Sequence, residues 1–422
     1  MNVIDDRERG SAGQGQGGGM KEAWQIKTLG DVCVTVQDGA HESPKLQFDS
    51  PGNGRFLYIT SKNIRNNYLD LENVTYVDEE FHNRIYPRCR PGVGDVLLTK
   101  DGANTGNVTL NTLDEPFSLL SSVCLIKTAP DFLLPSFLSY FIQSPDGLKS
   151  ITGQMTGAAI KRIILRDIKL AKIPIPPLPE QQRIVALLDG AFAGLATAKA
   201  NAERNLQNAR ALFESHLQSV FSQRGEGWVE KTLEDVSITF GRGKSKHRPR
   251  NDPELYGGKY PFIQTGDIRN ADHFITAYSQ TYNEVGLSQS KLWPNGTICI
   301  TIAANIAETA ILGFDACFPD SVIGVVANPD EAETGFIEYL LQSFKARIQA
   351  MGKGSAQANI NLATFEDQRF PFPSVIKQKE LVEFLDHLAA ETQRLTRLYE
   401  RKLAALEELK KSLLHQAFNG EL

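Results

Sequence analysis

The sequence predicts an α+β fold in which two repeated mixed α/β domains are joined by two long helices that form an antiparallel coiled coil. Three observations lead to this prediction. Most of the 422-residue chain is an internal repeat, each half ends in a helical segment almost free of glycine and proline, and the two segments carry complementary seams. A chain of this length is expected to form two or three domains.

The internal repeat is visible as matching strings. Residues 24–32, WQIKTLGDV, recur as residues 228–236, WVEKTLEDV, at a shift of 204 positions. Residues 137–144, FLSYFIQS, recur as residues 336–343, FIEYLLQS, at a shift of 199 positions. Small loop deletions produce such a slow change in the shift, so we expect the two halves to share one fold.

The repeat sets the expected domain organisation. It divides the chain into a flexible leader, a first mixed α/β domain, a first long helix, a second mixed α/β domain and a second long helix, at residues 1–19, 20–178, 179–222, 223–373 and 374–422. The leader is glycine-rich and cannot bury apolar surface. Short runs of β-branched residues bounded by turn residues predict strands in both domains.

The two helical segments, from about Pro179 to Ser222 and from Lys377 to Asn419, predict a coiled coil. At about 1.5 Å per residue, each is on the order of 60 Å long. The predicted seam of the second segment is rich in leucine and that of the first in alanine, which favours close packing of one against the other. These seams are Leu385, Leu388, Thr392, Leu395, Tyr399, Lys402, Leu406, Leu409, Leu413 and Gln416, and Leu188, Ala191, Leu195, Ala198, Ala202, Asn205, Ala209, Leu212, His216 and Ser219. The alternative is a pair of ordinary core helices.

Composition excludes several classes of protein. The chain is 41% hydrophobic and 23% charged, which is typical of a folded domain and not of a disordered one. Its 45 basic and 50 acidic residues give a net charge of −5, so any nucleic-acid surface must be local. The five cysteines lack zinc-site spacing, and we expect them to be reduced and mostly buried. No apolar run approaches the ~20 residues of a membrane span, so we expect a cytoplasmic protein without membrane contact.

Known catalytic motifs do not match. Residues 241–245, GRGKS, resemble the end of a phosphate-binding P-loop, but Ile238 stands where that motif needs glycine. Residues 328–330, NPD, lack the second proline and the aromatic ring of an amino-methyltransferase motif. We therefore expect no catalytic residues of these classes in the chain.

A nuclease metal site is also not expected. Asp146, Asp167 and Lys169 have a loose spacing of that kind. The second half of the repeat has Lys345 in place of Asp146 and Gln368 in place of the lysine, so the pattern is not kept. Since the seven histidines are scattered, the sequence predicts no metal site.

A basic loop in the second half is the strongest binding signal. Residues 242–250 contain five positive charges and no acidic residue, whereas the rest of residues 223–373 has 9 basic and 18 acidic residues. DNA phosphates would compensate such a concentrated charge, and guanidinium groups also recognise guanine. The predicted DNA contacts are Arg242, Lys244, Lys246, His247, Arg248 and Arg250. The alternative is a solvated charge run.

Other candidate DNA contacts are dispersed over loops. Asparagine and glutamine side chains can bind adenine through two hydrogen bonds, and lysine and arginine bind phosphates. In the second half the candidates are Arg269, Asn270, Asn305, Lys353, Gln357 and Asn359. In the first half they are Lys62, Arg65, Asn66, Lys100, Asn104, Lys161 and Arg162. Each could instead be an ordinary solvated loop residue.

Four strings together resemble one family. They are residues 38–44 (DGAHESP), 173–185 (IPIPPLPEQQRIV), 257–268 (GGKYPFIQTGDI) and 413–422 (LLHQAFNGEL). With the duplicated order, residues 20–422 resemble a type I restriction-modification specificity subunit. The chain departs from this pattern in its glycine-rich leader and in residues 373–378, PSVIKQ, which replace the proline-rich run of the first half.

The resemblance implies two target recognition domains, each reading one half of a split, asymmetric site in double-stranded DNA. It implies that the helices set the spacing and bind two DNA methyltransferase (modification) subunits, with restriction/translocase subunits completing the complex. Catalytic residues are absent from specificity subunits of that family; AdoMet belongs to the methylating partner, and ATP and Mg to the translocating partner. The alternatives are a free-standing DNA-binding regulator and a self-contained restriction endonuclease.

Overall fold

The computed structural model describes two compact units. The described residues are 24–153, 162–247, 249–303, 305–352 and 360–422. The first unit is Met1–Ala202 with Lys402–Leu422, and the second is Glu203–Arg401. Each unit therefore contains one mixed α/β domain and a part of each long helix.

The first unit alternates short strands and short helices before the first long helix begins. Its strands are β1 (Gln25–Thr28), β2 (Cys33–Asp38), β3 (Gln47–Phe48), β4 (Arg55–Ile59), β5 (Ile64–Arg65), β6 (Tyr68–Leu69), β7 (Thr75–Asp78), β8 (Val96–Thr99), β9 (Val108–Leu110), β10 (Ser118–Leu119), β11 (Val123–Thr128) and β12 (Lys172–Ile175). Its helices are α1 (Leu29–Val32), α2 (Glu79–Ile85), α3 (Pro135–Gln143), α4 (Pro145–Thr152), α5 (Leu165–Leu170) and the start of α6 (Leu178–Ser222).

Two sheets dominate the described part of the first unit. One has the order β2-β11-β8-β9 and is antiparallel, and the other has the order β10-β4-β7-β3, with a parallel pair between β10 and β4. Helix α3 packs against the end of the second long helix, because Phe137 and Phe141 contact the ring of Phe418 at centroid distances of 5.0 and 5.3 Å. Burial of these aromatic rings anchors the domain to the helix.

The second unit repeats this element order. Its strands are β13 (Val229–Lys231), β14 (Ser237–Arg242), β15 (Tyr256–Phe262), β16 (Phe274–Ile275), β17 (Gln280–Tyr282), β18 (Leu292–Trp293), β19 (Ile298–Thr301), β20 (Thr309–Leu312), β21 (Ala316–Cys317), β22 (Val322–Ala327) and β23 (Phe370–Phe372). Its helices are α7 (Thr265–Arg269), α8 (Glu284–Ser288), α9 (Thr334–Ser343), α10 (Lys345–Gly352), α11 (Ala363–Glu366) and most of α12 (Val375–Phe418).

The sheet topology of the second unit matches that of the first. Strands β14-β22-β19-β20 take the places of β2-β11-β8-β9, and β16 is added at the edge in parallel to β20. Strands β17-β15-β21 take the places of β7-β4-β10, and the parallel pair recurs between β15 and β21. The predicted α+β fold with two repeated mixed domains is confirmed.

A buried glutamine fixes each hinge before a long helix. Gln181 donates to the carbonyls of Phe132 and Pro176 at 2.8 and 2.9 Å and accepts from a backbone N–H. Gln378 makes the same three contacts in the second unit, including a donated bond to the Pro373 carbonyl at 2.9 Å. The two hinges therefore fold alike despite their different sequences, since one side chain saturates the same backbone groups.

A tyrosine also fastens each domain to its long helix. The Tyr140 hydroxyl of α3 donates to the Asp189 carboxylate of α6. In the second unit, the Tyr339 hydroxyl of α9 donates to the Asp386 carboxylate of α12 at 2.6 Å. The two halves of the repeat thus share specific polar contacts as well as strand order.

The two long helices pair antiparallel in the first unit. Helix α6 has 45 residues and α12 has 44. Lys199 of α6 forms an ion pair with Glu407 of α12 at 2.8 Å. Arg183, which lies near the start of α6, donates to the Leu422 carbonyl at 2.7 Å. Residues nearer the start of α6 therefore contact residues nearer the end of the chain.

The same direction of pairing holds in the second unit. Arg210 of α6 forms an ion pair with Glu400 of α12 at 2.8 Å. Further along α6, the ring of His216 lies 6.3 Å from the ring of Phe384, which is earlier in α12. The predicted antiparallel pairing is confirmed.

The predicted seams hold for part of each helix and then move by one residue. Seam residues are half-buried or buried up to Ala209 in α6 and up to Tyr399 in α12. Beyond these points, Leu217 is buried where the strict repeat points to the exposed His216, and Leu414 is more buried than Leu413. A helix of 3.6 residues per turn drifts against a repeat of 3.5, so the contact line advances.

The cysteines are free, and four of the five are buried, as predicted. None of the helices in the described ranges is long and apolar enough to span a membrane.

Candidate nucleic-acid interface

The basic loop leaves strand β14 through a glycine. The N–H of Gly243 donates to the Val322 carbonyl at 2.9 Å. A Cβ atom at Gly243 would lie 2.3 Å from the Phe318 carbonyl oxygen, so a larger residue would force the backbones apart. The close approach fixes the point from which the loop projects.

Side chains from a neighbouring segment hold the loop backbone. The Gln289 side-chain oxygen accepts from the N–H groups of Lys246 and His247 at 2.6 and 3.0 Å. The Ser290 hydroxyl donates to the Lys244 carbonyl at 2.8 Å. Since the side chains of Lys244 and Lys246 are exposed, this anchoring leaves two ammonium groups facing solvent from a fixed backbone.

The two arginines of the loop that the structure describes, Arg242 and Arg250, both contact Asp320. Arg242 donates through Nε to the Asp320 carbonyl at 2.8 Å, and Arg250 donates to both carboxylate oxygens at 2.7 and 2.9 Å. The Tyr256 hydroxyl donates to the Arg250 carbonyl at 2.7 Å. Asp320 thus holds both guanidinium groups in place while offsetting part of their charge.

His247 contacts an acidic neighbour, and one predicted contact falls outside the described residues. The imidazole Nε2 of His247 lies 2.8 Å from the Asp252 carboxylate. Arg248 is not among the described residues. The basic loop therefore contains Arg242, Lys244, Lys246 and Arg250 as described cations.

Lys291 adds a cation that the sequence analysis missed. Its ammonium group lies 3.6 Å from the centre of the Trp293 ring. Burial and the nearby charge of Lys244 lower the pKa of Lys291. Lys291 is 41 residues beyond Arg250 in the chain, so no local pattern signals that it joins the loop.

The remaining candidates of the second domain are only partly described. Arg269 and Asn270 follow each other at the end of α7 and are exposed. Arg269 donates to the Asn305 side-chain oxygen at 3.4 Å, so the structure brings these two candidates together. Lys353, Gln357 and Asn359 lie outside the described residues.

In the first domain, the structure brings two candidate loops together. The Asn104 amide donates to the Ser61 carbonyl at 3.2 Å, next to the exposed Lys62. The Asn66 side-chain oxygen accepts from the N–H of Val108 at 3.0 Å. Asn104 therefore joins the loop between β8 and β9 to the loop that follows β4, and Asn66 joins the turn between β5 and β6 to the start of β9.

Arg65 is held within the same surface. Its guanidinium donates to the Lys62 carbonyl at 2.7 Å and forms an ion pair with Asp70 at 3.1 Å. Both side chains of this ion pair remain about one-third exposed, at 32% and 29%. The guanidinium is therefore positioned at a surface and not in the core.

Lys100 differs from the surface position that the sequence analysis gave it. Its side chain is 2% exposed, and its ammonium lies 3.5 Å from Asp38 and 3.8 Å from Asp101. The carboxylate of Asp38 is itself 4% exposed and requires nearby cations. Arg162 lies 4.0 Å from Asp101 at the surface, and Lys161 lies outside the described residues.

Asp38 is the centre of a charge cluster that the sequence analysis did not identify. Arg88 donates to its carboxylate at 2.7 Å, and His41 lies 3.0 Å from it. Burial would raise the pKa of the Asp38 carboxyl, but the hydrogen bond from Arg88 and the charge of Lys100 outweigh burial and lower it. Asp38 and His41 lie in one sequence string, whereas Arg88 is distant in sequence.

The acidic residues considered for a nuclease site have other partners. Asp146 lies 3.0 Å from the His415 imidazole of α12, and Asp167 lies 3.5 Å from Arg166. Over the part of the chain that the structure describes, no group of three or more histidine, cysteine or acidic residues is arranged to hold a metal ion.

Comparison with known proteins assigns the repeat. The family model described as "Type I restriction modification DNA specificity domain" matches residues 21–203 and again residues 225–407. A putative type I restriction enzyme MjaX specificity subunit from Methanocaldococcus jannaschii is 21% identical over 96% of this chain and 95% of its own length.

Solved structures share the fold. One, described as the structural basis of complex assembly and conformational transition of the type I R-M system, has a TM-score of 0.76 at 19% identity, covering 96% of this chain and 100% of that chain. The HsdS subunit from Thermoanaerobacter tengcongensis has a TM-score of 0.63 at 20% identity, covering 96% and 98%. Because both copies of the family model match and together cover most of the sequence, the chain belongs to the family of type I restriction-modification DNA specificity domains.

Proposed function

We propose that this chain is the DNA-recognition subunit of a type I restriction-modification complex. Each mixed α/β domain reads one half of a bipartite, asymmetric target in double-stranded DNA. The paired helices set the spacing between the half-sites and bind two methyltransferase subunits, and restriction subunits complete the assembly. The match of both halves to the specificity-domain family supports this proposal.

One observation carries the proposal of two different half-sites. The equivalent loops of the two domains begin in the same way at a glycine, Gly39 or Gly243, that packs against neighbouring backbone. The preceding residue is the buried Asp38 in the first domain and the exposed Arg242 in the second. Because the two domains share a backbone conformation but carry different charges at this position, they are suited to reading different DNA sequences.

The chain is proposed to recognise DNA and not to catalyse. In this proposal AdoMet is bound by the methyltransferase subunits, and ATP and Mg²⁺ are bound by the restriction subunit. Phosphates bind Lys244, Lys246 and the neighbouring cations of the second domain, since clustered cations release counterions from DNA. Because the substrate is the cell's DNA, we place the complex in the cytoplasm.

The experiment that tests the function maps methylated adenines in host DNA by long-read sequencing. We expect one split, asymmetric motif that disappears when this chain is deleted. Exchange of residues 20–170 for those of a related subunit should replace one half-site and keep the other half-site and the spacer. Each mismatched base pair typically costs about 1–3 kcal/mol, so the complex with the exchanged domain should bind the original half-site more weakly than the new one. A palindromic or continuous motif, or a swap that alters both half-sites, would contradict the proposal.

A further inference from the structure

A cavity of about 610 Å³ lies beside the basic loop of the second domain. Ser245 and Arg250 of the loop line one side, and Tyr256 and Phe262 of β15 line another. Gln264 and Gln280 contribute two amides to its wall. The cavity thus combines one cation, Arg250, with ring surface and amides, which are groups that contact phosphates and base edges in DNA.

The two glutamines form a fixed pair. Gln280 begins β17 and lies opposite Phe262 of β15 in the antiparallel register, and Gln264 follows Phe262 by two residues. The Gln264 amide nitrogen donates to the Gln280 side-chain oxygen at 2.6 Å. The backbone N–H of Gln264 is held by the Asp267 carboxylate at 2.8 Å. Two ordered elements therefore set the orientation of one exposed amide pair.

The hydrogen bond between the glutamines leaves recognition groups on Gln280. With its oxygen accepting from Gln264, the Gln280 amide keeps an NH₂ donor and a second lone pair, and no described residue bonds to either. One glutamine amide can donate to N7 of adenine and accept from its N6 amino group. No other base offers this acceptor and donor pair at the major-groove edge in the same arrangement.

The first domain has different groups at the equivalent positions. Thr60 is equivalent to Gln264 by the shift of 204, and Thr75 is equivalent to Gln280 because it lies opposite Tyr58, the equivalent of Phe262. The Thr60 hydroxyl donates to Asn63 at 3.2 Å. An amide pair at this place is therefore particular to the second domain, as expected of an element that distinguishes two half-sites.

We infer that the Gln264–Gln280 pair reads an adenine in the half-site bound by the second domain. Gln280 is the specificity-determining residue, and Gln264 is a positioning residue that fixes the orientation of the Gln280 amide. Lys244 and Lys246 bind the flanking phosphates and bring the major-groove edge of the base to the cavity. This inference rests on the proposed function, namely that the second domain binds duplex DNA.

The test uses the full chain assembled with its methyltransferase subunits. Wild-type, Gln280→Ala and Gln25→Ala complexes select duplexes from a randomised pool, and Gln25 serves as the control because it is an exposed glutamine of β1 that is not among the candidate DNA contacts. We expect Gln280→Ala to lose preference for one A·T pair in one half-site by about 5- to 150-fold, the discrimination of one bidentate contact. The other half-site and the Gln25→Ala profile should not change.

Two further measurements separate a contact from a structural effect. Replacing that adenine by 7-deazaadenine removes N7, so it should weaken binding of the wild type but not of Gln280→Ala. Gln264→Glu removes the donated bond and turns the Gln280 NH₂ towards the new carboxylate. Its complexes should lose the adenine preference while their Tm stays close to that of the wild type.

The outcomes distinguish this inference from the function on which it rests. If the wild-type complex selects no sequence, the proposed function is wrong and the inference falls with it. If the wild type selects a bipartite site and Gln280→Ala selects the same site with unchanged preference, the function stands and the inference is overturned. Equal sensitivity of wild type and Gln280→Ala to 7-deazaadenine would also overturn it.

Discussion

The two domains share a backbone frame and use their charge in opposite ways. In the first, β2 ends at Asp38, which lies inside the domain with Lys100 and forms an ion pair with Arg88. In the second, β14 ends at the exposed Arg242, and the loop that follows contains the exposed Lys244. The shared backbone conformation and the side-chain chemistry that it presents therefore vary independently in one chain.

The two domains also differ in the role of their charges: those of the first stabilise the fold, and those of the second are available to a ligand. The Asp38 and Lys100 side chains are 4% and 2% exposed, so their removal acts on folding. The Arg250–Asp320 pair of the second domain is 49% and 34% exposed and is screened by water. Removing one partner of the ion pair should therefore cost more stability in the first domain than in the second.

The largest expected effect tests this difference. Asp38→Ala leaves the buried Lys100 with only the partly exposed Asp101, 3.8 Å away, and removing one partner of a buried ion pair costs about 3–5 kcal/mol. Asp320→Ala breaks an exposed pair and should cost about 0–1 kcal/mol. Urea unfolding measures the loss in the free energy of unfolding, and hydrogen exchange in β2 and β11 shows whether these strands are destabilised.

A double variant controls the Asp38 experiment. Lys100→Met in the Asp38→Ala background removes the uncompensated charge and should recover much of the lost stability, because the site then holds no unpaired ion. Similar losses for Asp38→Ala and Asp320→Ala would show that burial does not distinguish the two clusters.

The second prediction concerns the helix pair that both domains share. Ala202 is 1% exposed within the helix pairing, whereas Ala200 is exposed on the same helix. Ala202→Leu overpacks the contact and should lower the free energy of unfolding by about 1–3 kcal/mol. Ala200→Leu should leave it nearly unchanged, and neither should alter either half-site. Equal melting temperatures for the two variants would be evidence against close packing at Ala202.

Much of the frame could be predicted from the sequence. The repeat, the two long helices and the alanine-rich seam follow from patterns that local geometry imposes, since a helical face and a strand face each have a fixed period. The position at which the seams shift, near Ala209 and Tyr399, was not predicted. It depends on the accumulated mismatch between helical turn and heptad over the whole helix.

The candidate site could be predicted only where its residues are consecutive. The loop 242–250 is visible as a charge run, but Gln289, which holds its backbone, and Lys291, which adds to its charge, lie 39 and 41 residues beyond Arg250 in the chain. Lys100 shows the converse: a basic residue beside a glycine-containing loop is buried because Asp38, 62 residues earlier, needs a cation. Such long-range pairings have no local signature.

The third prediction tests whether the exposed lysines of the second domain contact phosphates. Lys244→Ala and Lys246→Ala should each reduce the salt dependence of DNA affinity by about 0.9 in log–log slope. Affinity should fall for all sequences alike, because phosphate contacts carry no base information. Lys377→Ala, an exposed lysine near the start of α12, is the control. A slope that stays the same, or a loss confined to one sequence, would argue against phosphate contact.

A second position distinguishes the domains by charge. Asn67 and His273 both have left-handed backbone conformations, with φ of 72° and 69°. Asn67 accepts a neutral hydrogen bond from Gln143 at 2.7 Å, whereas His273 lies 2.8 Å from the fully buried Glu338 carboxylate. The left-handed residue thus contacts a neutral amide in the first domain and a carboxylate in the second.

The environment of His273 favours its charged form. Burial opposes the imidazolium, but the hydrogen bond to Glu338 and the charges of Glu338, Asp386 and Glu333 outweigh burial, so the pKa of His273 lies above its ordinary value. Its ring also stacks on Tyr339 at 4.7 Å between centroids. Folding therefore increases proton binding at this residue.

The smallest expected effect follows from that shift. A raised folded-state pKa gives stability that is complete below the unfolded pKa of about 6.5 and is lost as the pH rises through the folded value. His273→Asn copies the first domain and tolerates the same backbone conformation. The variant should melt below the wild type at pH 6, by about 2–4 °C if the ion pair contributes about 1 kcal/mol, and the difference should narrow by pH 9. Asn67→His, which faces no equivalent carboxylate in its bond to Gln143, is the matched control and should gain no such pH dependence. A difference between wild type and His273→Asn that stays constant from pH 6 to 9 would mean that His273 is uncharged in the folded protein.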